Sequence, residues 1–218
     1  LCWRFISAAC RPAFSPDYTV DMSPHRKPVL IVFARAPRLG AVKRRLAAGI
    51  GDSAALRFYL HSTRAVLRRV AGDRRWRTVL AMTPGRTSVD RFGWADTERM
   101  GQGDGDLGRR MERALIRFRA NPVVLIGSDI PDIDDSHIAA AFEALGHADF
   151  VFGPSDDGGY WLVGARHGVS VRGLFDRVRW SGPHALVDTL KNAGQRRVAL
   201  LEELIDIDTA DDLARWRG

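Results

Sequence analysis

Asp129 and the Asp156–Asp157 pair are the side chains best set to do chemistry in this sequence. Asp129 follows the apolar run Val123–Ile126 and the short Gly127-Ser128 step, and Pro131 fixes the turn behind it. Asp156 and Asp157 precede Gly158-Gly159-Tyr160, and two glycines let the backbone approach a ligand closely. One helical stretch separates the two segments. In an open α/β sheet, ligands sit outside the carboxyl ends of the strands. A hard cation such as Mg²⁺ takes oxygen ligands, commonly one or two carboxylates plus substrate phosphates. The spacing therefore predicts a metal-assisted phosphate or nucleotide site. Asp129 is its metal ligand, and either aspartate of the pair is a second ligand or a base. The plainer alternatives are that Asp129 caps a turn and that Asp-Asp-Gly-Gly is a tight hairpin, favoured for its positive-φ positions.

Cationic segments supply the counterpart. Residues 33–46 read FARAPRLGAVKRRL, an apolar end, a loop with Pro37 and Gly40, and a helix start rich in cations. Such a turn offers backbone N–H groups and a positive helix end to a phosphate, with Arg35 and Lys43 adding charge. The spacing is not that of a Walker A loop. A second segment, Gln102-Gly103-Asp104-Gly105-Asp106, offers a side-chain amide that can bond a base or ribose. Asp106 serves equally well as a helix N-cap. Asp132, Asp134 and Asp135 read as solvated or capping. His61 reads as structural, and His184, beyond Trp180-Ser181-Gly182-Pro183, as a weaker candidate for the rim of the site.

Charge is divided along the chain. Residues 1–120 carry 24 Lys and Arg against 10 Asp and Glu, whereas residues 121–218 carry 9 against 16. A basic half opposite an acidic half suits a phosphate ligand held between cations and a metal, although most of the arginines read as solvated surface. No helix-turn-helix, zinc-finger or RNA-recognition signature accompanies the basic half, so a nucleic-acid partner is not expected. Neither His-Glu-x-x-His nor Gly-x-Ser-x-Gly occurs. Cys2 and Cys10 are the only cysteines, which excludes a disulfide framework for the domain and suits a cytoplasmic protein. No apolar run reaches the ~18 residues of a membrane span.

The elements that must position these groups follow from periodicity. Val29–Phe33 is a continuous apolar run, as expected of a strand buried on both faces. Helical patterns follow over Ala41–Ala48 and Ser53–Val70, then a strand over Trp76–Met82 and a break at Thr83-Pro84-Gly85. One short strand is expected near Arg91–Trp94. Leu107, Met111, Ala114, Leu115 and Phe118 form one helical stripe, read as core. Strands follow at Val123–Ile126, Phe150–Phe152, Tyr160–Val163 and Val198–Leu200. Helices are expected over Ser136–Leu145, capped by Asp134 or Asp135, at Leu174-Phe175, over Pro183–Ala193, and after an Asp208 or Thr209 cap. This alternation predicts an α/β fold: one Rossmann-like domain, a mainly parallel central sheet with helices on both faces. Residues 28–218 form that domain. Residues 1–27 (with Met22 beginning MSPHRKPVLIVFARAP) read as a disordered or non-native leader.

Six segments, FARAPRLGAVKRRL (33–46), QGDGDLGRRM (102–111), GSDIPDI (127–133), GPSDDGGYWLVG (153–164), Phe175 with Trp180-Ser181, and DIDTADDL (206–213), resemble in order those of a bacterial family of glycosyltransferase-like proteins, DUF2064, also described as the radical-SAM and selenodomain-associated transferase 1 family. The resemblance implies the GT-A, or nucleotide-diphospho-sugar transferase, fold with Mg²⁺ or Mn²⁺. It implies that Asp129 binds the metal, with Asp157 as second ligand or base. It implies that Ala34, Arg35, Pro37, Gly40, Lys43 and Arg45, with Gln102, Gly103, Asp106 and Ser128, meet the nucleotide and its phosphates. Gly158, Gly159, Tyr160, Trp180 and Ser181 then fall on the acceptor side. Where the family commonly has Lys-Thr-Arg-Leu and Trp-Ser-Thr, this chain has Lys43-Arg44-Arg45-Leu46 and Trp180-Ser181-Gly182. The function expected is transfer of a sugar from a nucleotide sugar to a small-molecule acceptor. The alternatives are a nucleotidyltransferase that uses a nucleoside triphosphate and releases pyrophosphate, and a non-catalytic nucleotide-binding domain. Sugar, base, acceptor and oligomeric state are left open.

Overall fold

The computed structural model describes residues 27–85, 94 and 97–217. Strand β1 (Val29–Arg35) is buried at every position but Arg35. Its apolar run is what a central strand requires, and it lies between β2 (Arg77–Thr83) and β4 (Val123–Ile126), parallel to both. With β3 (Glu98–Gly101), β5 (Phe150–Pro154), β6 (Tyr160–Ala165) and β7 (Val198–Leu200), the described residues form one seven-stranded sheet in the order β3-β2-β1-β4-β6-β5-β7. The mainly parallel sheet expected from sequence is found, with one reversed strand: β6 is antiparallel to both β4 and β5. That reversal matters, because β6 begins where β4 ends. Leu162 stands opposite Ile126, and the Gly127 N–H donates to the Trp161 carbonyl at 3.2 Å. The Asp156–Gly159 hairpin that joins β5 to β6 thus arrives beside Ser128 and Asp129.

Helices cover both faces. On one, α2 (Asp52–Val70) and α4 (Asp135–Ala144) set Val66, Leu67, Val70, Ile138 and Ala141 against Leu30, Val32, Leu80, Val124 and Ile126. On the other, α3 (Leu107–Arg117) packs Met111, Ala114 and Leu115 on Ile31, Phe33, Val79 and Leu125, as its stripe predicts. The helix α5 (Ala185–Ala193) closes the same face. A smaller cluster of Leu46, Ala55, Ile207 and Leu213 joins α1 (Arg44–Ile50), α2 and α6 (Ala210–Arg217). A Cβ on Gly49 would lie 2.6 Å from that of Ala210, so α1 and α6 meet closely. This contact brings residues 206–208 over the loop that follows β1.

Several elements depart from the sequence reading. The first helix starts at Arg44, not Ala41, because Lys43 has left-handed backbone (φ 46°, ψ 49°). An edge strand, β3, lies at residues 98–101, where Glu-Arg-Met-Gly has no apolar alternation to announce it. The expected strand near Arg91–Trp94 falls outside the described residues except for Trp94. Leu174 and Phe175 lie in turns rather than a helix, after Gly173 at φ 77°. The leader also lies outside the described residues up to residue 26. Among the described residues, no helix is long and apolar enough to cross a membrane.

Candidate active site

Lys43 is the centre of the charged end of the sheet. Its left-handed backbone turns the side chain inward, at a cost of roughly 1–2 kcal/mol for a residue with a Cβ. The side chain is only 2% exposed, and its Nζ lies 3.3 Å from Asp129, 3.4 Å from Asp206 and 2.9 Å from Asp208. Burial alone would depress the lysine pKa; the three carboxylates outweigh it and hold the pKa above the ordinary lysine value. The acids are not balanced in return. Burial first, then Asp208, Asp129 and Asp157, push Asp206 up to about 7 against the pull of Lys43. One ammonium therefore does not neutralise this group, and a further cation would be welcome there.

Each carboxylate is placed by its own local device. The Ser128 hydroxyl donates to Asp129 at 3.2 Å from just beyond the end of β4. Tyr59 on α2 donates to the Arg35 carbonyl at 2.9 Å and accepts from the Arg35 N–H at 2.7 Å, which fixes the exit of β1. Burial, and after it the charge of Asp129, push the Tyr59 phenol up to about 12. Asp157 Oδ1 accepts from the Ser155 hydroxyl at 2.7 Å and the Gly159 N–H at 2.9 Å, so the carboxylate is held in one orientation. Asp156 is spent on structure: it accepts from the Asp206 N–H at 3.2 Å and pairs with Arg215 at 2.8 Å. The two members of the pair therefore separate into a builder and a candidate reactant.

Asp206 and Asp208 are the residues that sequence reasoning left out of the site. Their signal was the Asp206-Ile207-Asp208-Thr209 spacing, in which Asp208 or Thr209 reads as a helix cap. The cap itself falls to Thr209, which accepts from the Asp212 N–H at 3.2 Å, while Asp212 accepts from the Thr209 N–H at 2.7 Å. This reciprocal capping releases the Asp208 side chain for Lys43, and for Arg45 at 3.4 Å.

The remaining candidates divide. Arg35 is exposed at the end of β1, Pro37 is buried, Gly40 has φ 69°, and the Arg45 side chain is 70% exposed. Gln102 is buried and bonds backbone: its amide donates to the carbonyls of Ala34 at 3.2 Å and Ala81 at 3.0 Å. Gly103 packs on Arg113, and Asp106 caps α3 through the Arg109 N–H at 2.8 Å. Across the α3 face, the rings of Tyr160 and Trp180 lie 6.4 Å apart, and Phe175 stands 6.4 Å from Trp180. Ser181 beside them is exposed, with φ 63°. His61 and His184 are exposed, on α2 and at the start of α5. A cavity of about 450 Å³ between the end of α3 and residues 167–172 lies at the opposite end of the sheet and touches none of these carboxylates.

Two expectations arise from this geometry. Gly158 has φ 82°, and a Cβ there would lie 2.6 Å from the backbone of Pro183. Gly158→Ala should therefore cost about 2–3 kcal/mol in chemical denaturation, from strain and clash together; an unchanged midpoint would show that the hairpin yields freely. Asp206 gives a pH dependence. Its folded pKa of about 7 exceeds the ordinary value of 3.8, so the native state holds the extra proton between those values. The stability linked to this group is full below pH 4 and is lost as pH rises through about 7. Asp206→Asn should abolish that fall and be more stable than the parent at pH 8, by on the order of 2 kcal/mol, with no such gain at pH 4. Urea titrations at the two pH values check this.

Residues 66–182 match the profile of a family described as "Uncharacterized protein conserved in bacteria (DUF2064)". No curated protein matches the chain. Among solved structures, a protein from Desulfovibrio desulfuricans G20, named as a candidate nucleotide-diphospho-sugar transferase, superposes with a TM-score of 0.79 at 29% identity, covering 86% of this chain and 85% of that one. Rv0371c of Mycobacterium tuberculosis H37Rv, in complex with manganese, gives a TM-score of 0.51 at 21% identity over 87% of this chain and 97% of its own. The 4-diphosphocytidyl-2C-methyl-D-erythritol synthase of Anaerococcus prevotii DSM 20548 gives 0.57 at 11% identity, over 89% and 100%. The last two share the fold alone.

Proposed function

Because the chain belongs to the DUF2064 family and has the nucleotide-diphospho-sugar transferase fold, we propose that it is a metal-dependent transferase moving a sugar from a nucleotide sugar onto a small-molecule acceptor. The observation that carries this reading is the meeting of Asp129, Asp206 and Asp208 at one buried ammonium, with the charge of Asp157 felt at the same point.

The donor set fits Mg²⁺ or Mn²⁺. It is all carboxylate oxygen, and its negative charge exceeds what Lys43 balances. Among the described residues no three acidic or histidine side chains are gathered closely enough to hold a cation by themselves. A hard cation that takes most of its ligands from water and substrate phosphate needs only one or two of them. Asp129 and one of its neighbours at Lys43, or Asp157, would hold it. When bound, the metal supplies charge stabilisation to a departing diphosphate.

The chain's own residues do the rest. Arg35, exposed at the end of β1, brings a cationic group to the phosphates, and Lys43, buried among its three acids, gathers the carboxylates that would hold the metal. Asp157 has one oxygen fixed by Ser155 and Gly159, which leaves the carboxylate oriented to take a proton from an acceptor hydroxyl. Tyr160 and Trp180, with Ser181 and the Gly158-Gly159 turn, supply an aromatic wall for the acceptor. A cytoplasmic place of work goes with this reading.

A nucleotidyltransferase would use the same residues, and the 4-diphosphocytidyl-2C-methyl-D-erythritol synthase that shares the fold keeps that second reading open. A thermal-shift screen of the full chain separates the cases. Nucleoside triphosphates, nucleoside diphosphates and sugar nucleotides are compared with and without Mg²⁺ or Mn²⁺. A ligand at ~100 times its dissociation constant should stabilise the fold by about 2.7 kcal/mol. A metal-dependent shift with a sugar nucleotide supports the sugar transferase, and a shift with triphosphates alone supports the nucleotidyltransferase. No shift with any nucleotide overturns both.

A further inference from the structure

On the α3 face, Gln102 does more than fill space. It is 3% exposed, and its amide nitrogen donates to the carbonyls of Ala34 on β1 and Ala81 on β2, at 3.2 and 3.0 Å. With both amide hydrogens engaged, its oxygen has one orientation, and that oxygen accepts from Arg110 Nη1 at 3.2 Å. Arg110 Nε donates to the Asp106 carbonyl, also at 3.2 Å. The guanidinium is therefore held by two neutral acceptors.

Ala34, which Gln102 grips, precedes Arg35. Phe33 packs in the α3-side core, and side chains alternate along a strand, so Arg35 projects toward the same face as Arg110. Burial first, and the charge of Arg35 second, draw the Arg110 pKa down, so the two cations stand near each other. Among the described residues neither guanidinium meets a carboxylate. Several other arginines do meet acids: Arg75 with Asp73 at 2.6 Å, Arg179 with Asp188 at 2.8 Å, Arg215 with Asp156 at 2.8 Å. Two adjacent guanidiniums, that of Arg110 held by neutral groups, are complementary to an anion, and the planar fork of each matches phosphate oxygens.

We infer that Arg110 and Arg35 form a phosphoryl-binding subsite on the α3 face, and that buried Gln102 is the positioning residue that aims Arg110 into it. The subsite deepens the transferase reading and rests on it for the source of the phosphoryl group, which is the donor's diphosphate or a phosphomonoester on the acceptor.

Calorimetric titration of the full chain with inorganic pyrophosphate and with inorganic phosphate tests it, in buffer containing EDTA and no nucleotide. The outcome then stands apart from the transferase reading, which depends on nucleotide and metal. The parent chain is expected to bind pyrophosphate, and Arg110→Gln to weaken it by about tenfold or more. Arg109→Gln, an exposed arginine on the same turn, should bind as the parent does. Equal losses for phosphate and pyrophosphate identify a phosphomonoester subsite; a loss for pyrophosphate alone identifies the donor diphosphate. Gln102→Met should weaken binding about three- to tenfold with Arg110 present and add nothing to Arg110→Gln, whereas a merely structural role would add its loss in both backgrounds. Parent-like pyrophosphate binding by folded Arg110→Gln overturns the subsite, as does failure of the parent to bind either anion at millimolar concentration.

Discussion

Lys43→Met should destabilise the folded chain by about 2–4 kcal/mol at pH 8. Breaking a buried ion pair by removing one partner typically costs 3–5 kcal/mol, and the partial exposure of the three aspartates reduces that figure. The change deletes the only ammonium among Asp129, Asp206 and Asp208 and leaves a 2% exposed position lined by acids. The loss should shrink near pH 5, where Asp206, with its carboxyl at about 7, already carries a proton. Divalent cation should recover part of the loss at pH 8, because it replaces the missing charge. Urea denaturation at both pH values, with and without Mg²⁺, measures all three effects. A variant as stable as the parent at pH 8 would mean that Lys43 does not hold these acids together.

Asp129→Ala carries the largest expected effect on function. It should remove the metal-dependent thermal shift with nucleotide and lower turnover by about 100-fold or more, equivalent to ~3 kcal/mol of lost charge stabilisation. The fold should persist, because Asp129 follows β4 on a loop and its side chain is 44% exposed. It also takes one acid from an overcharged group, so the thermal midpoint without metal should not fall. A variant with a full metal-dependent shift would take Asp129 out of the site.

The sheet was legible in the sequence because its central strands are unambiguous. Val29–Phe33 and Val123–Ile126 are apolar without interruption, and only a strand covered on both faces needs that. The edge was not legible. Glu98-Arg99-Met100-Gly101 pairs only with β2, so its side chains carry no burial signal. The direction of β6 was also hidden, since a hairpin and a crossover both follow from a glycine-rich turn. In the site, Asp129 and Asp157 stood out by lying after apolar runs. Asp206 and Asp208 did not, because an acid before a helix reads as a cap, and only the Thr209–Asp212 exchange shows that the cap needs neither of them. The same limit applied to Gln102. An amide in a glycine-rich loop looks available for a base, and its two backbone partners come from strands 21 and 68 residues away.

The Asp206–Asp208 segment has a consequence for how the protein comes to exist. The acids that surround Lys43 are made at different times: residue 129 leaves the ribosome well before residues 206 and 208. Until those emerge, the Lys43 ammonium has only Asp129 of its three acidic partners, and the charge excess that would attract a divalent cation is absent. The nascent chain thus makes all seven strands of its sheet before it acquires its appetite for cations. The seal that Arg215 and Asp156 place over that segment makes the docking of residues 206–215, rather than folding of the core, the moment at which the site is charged.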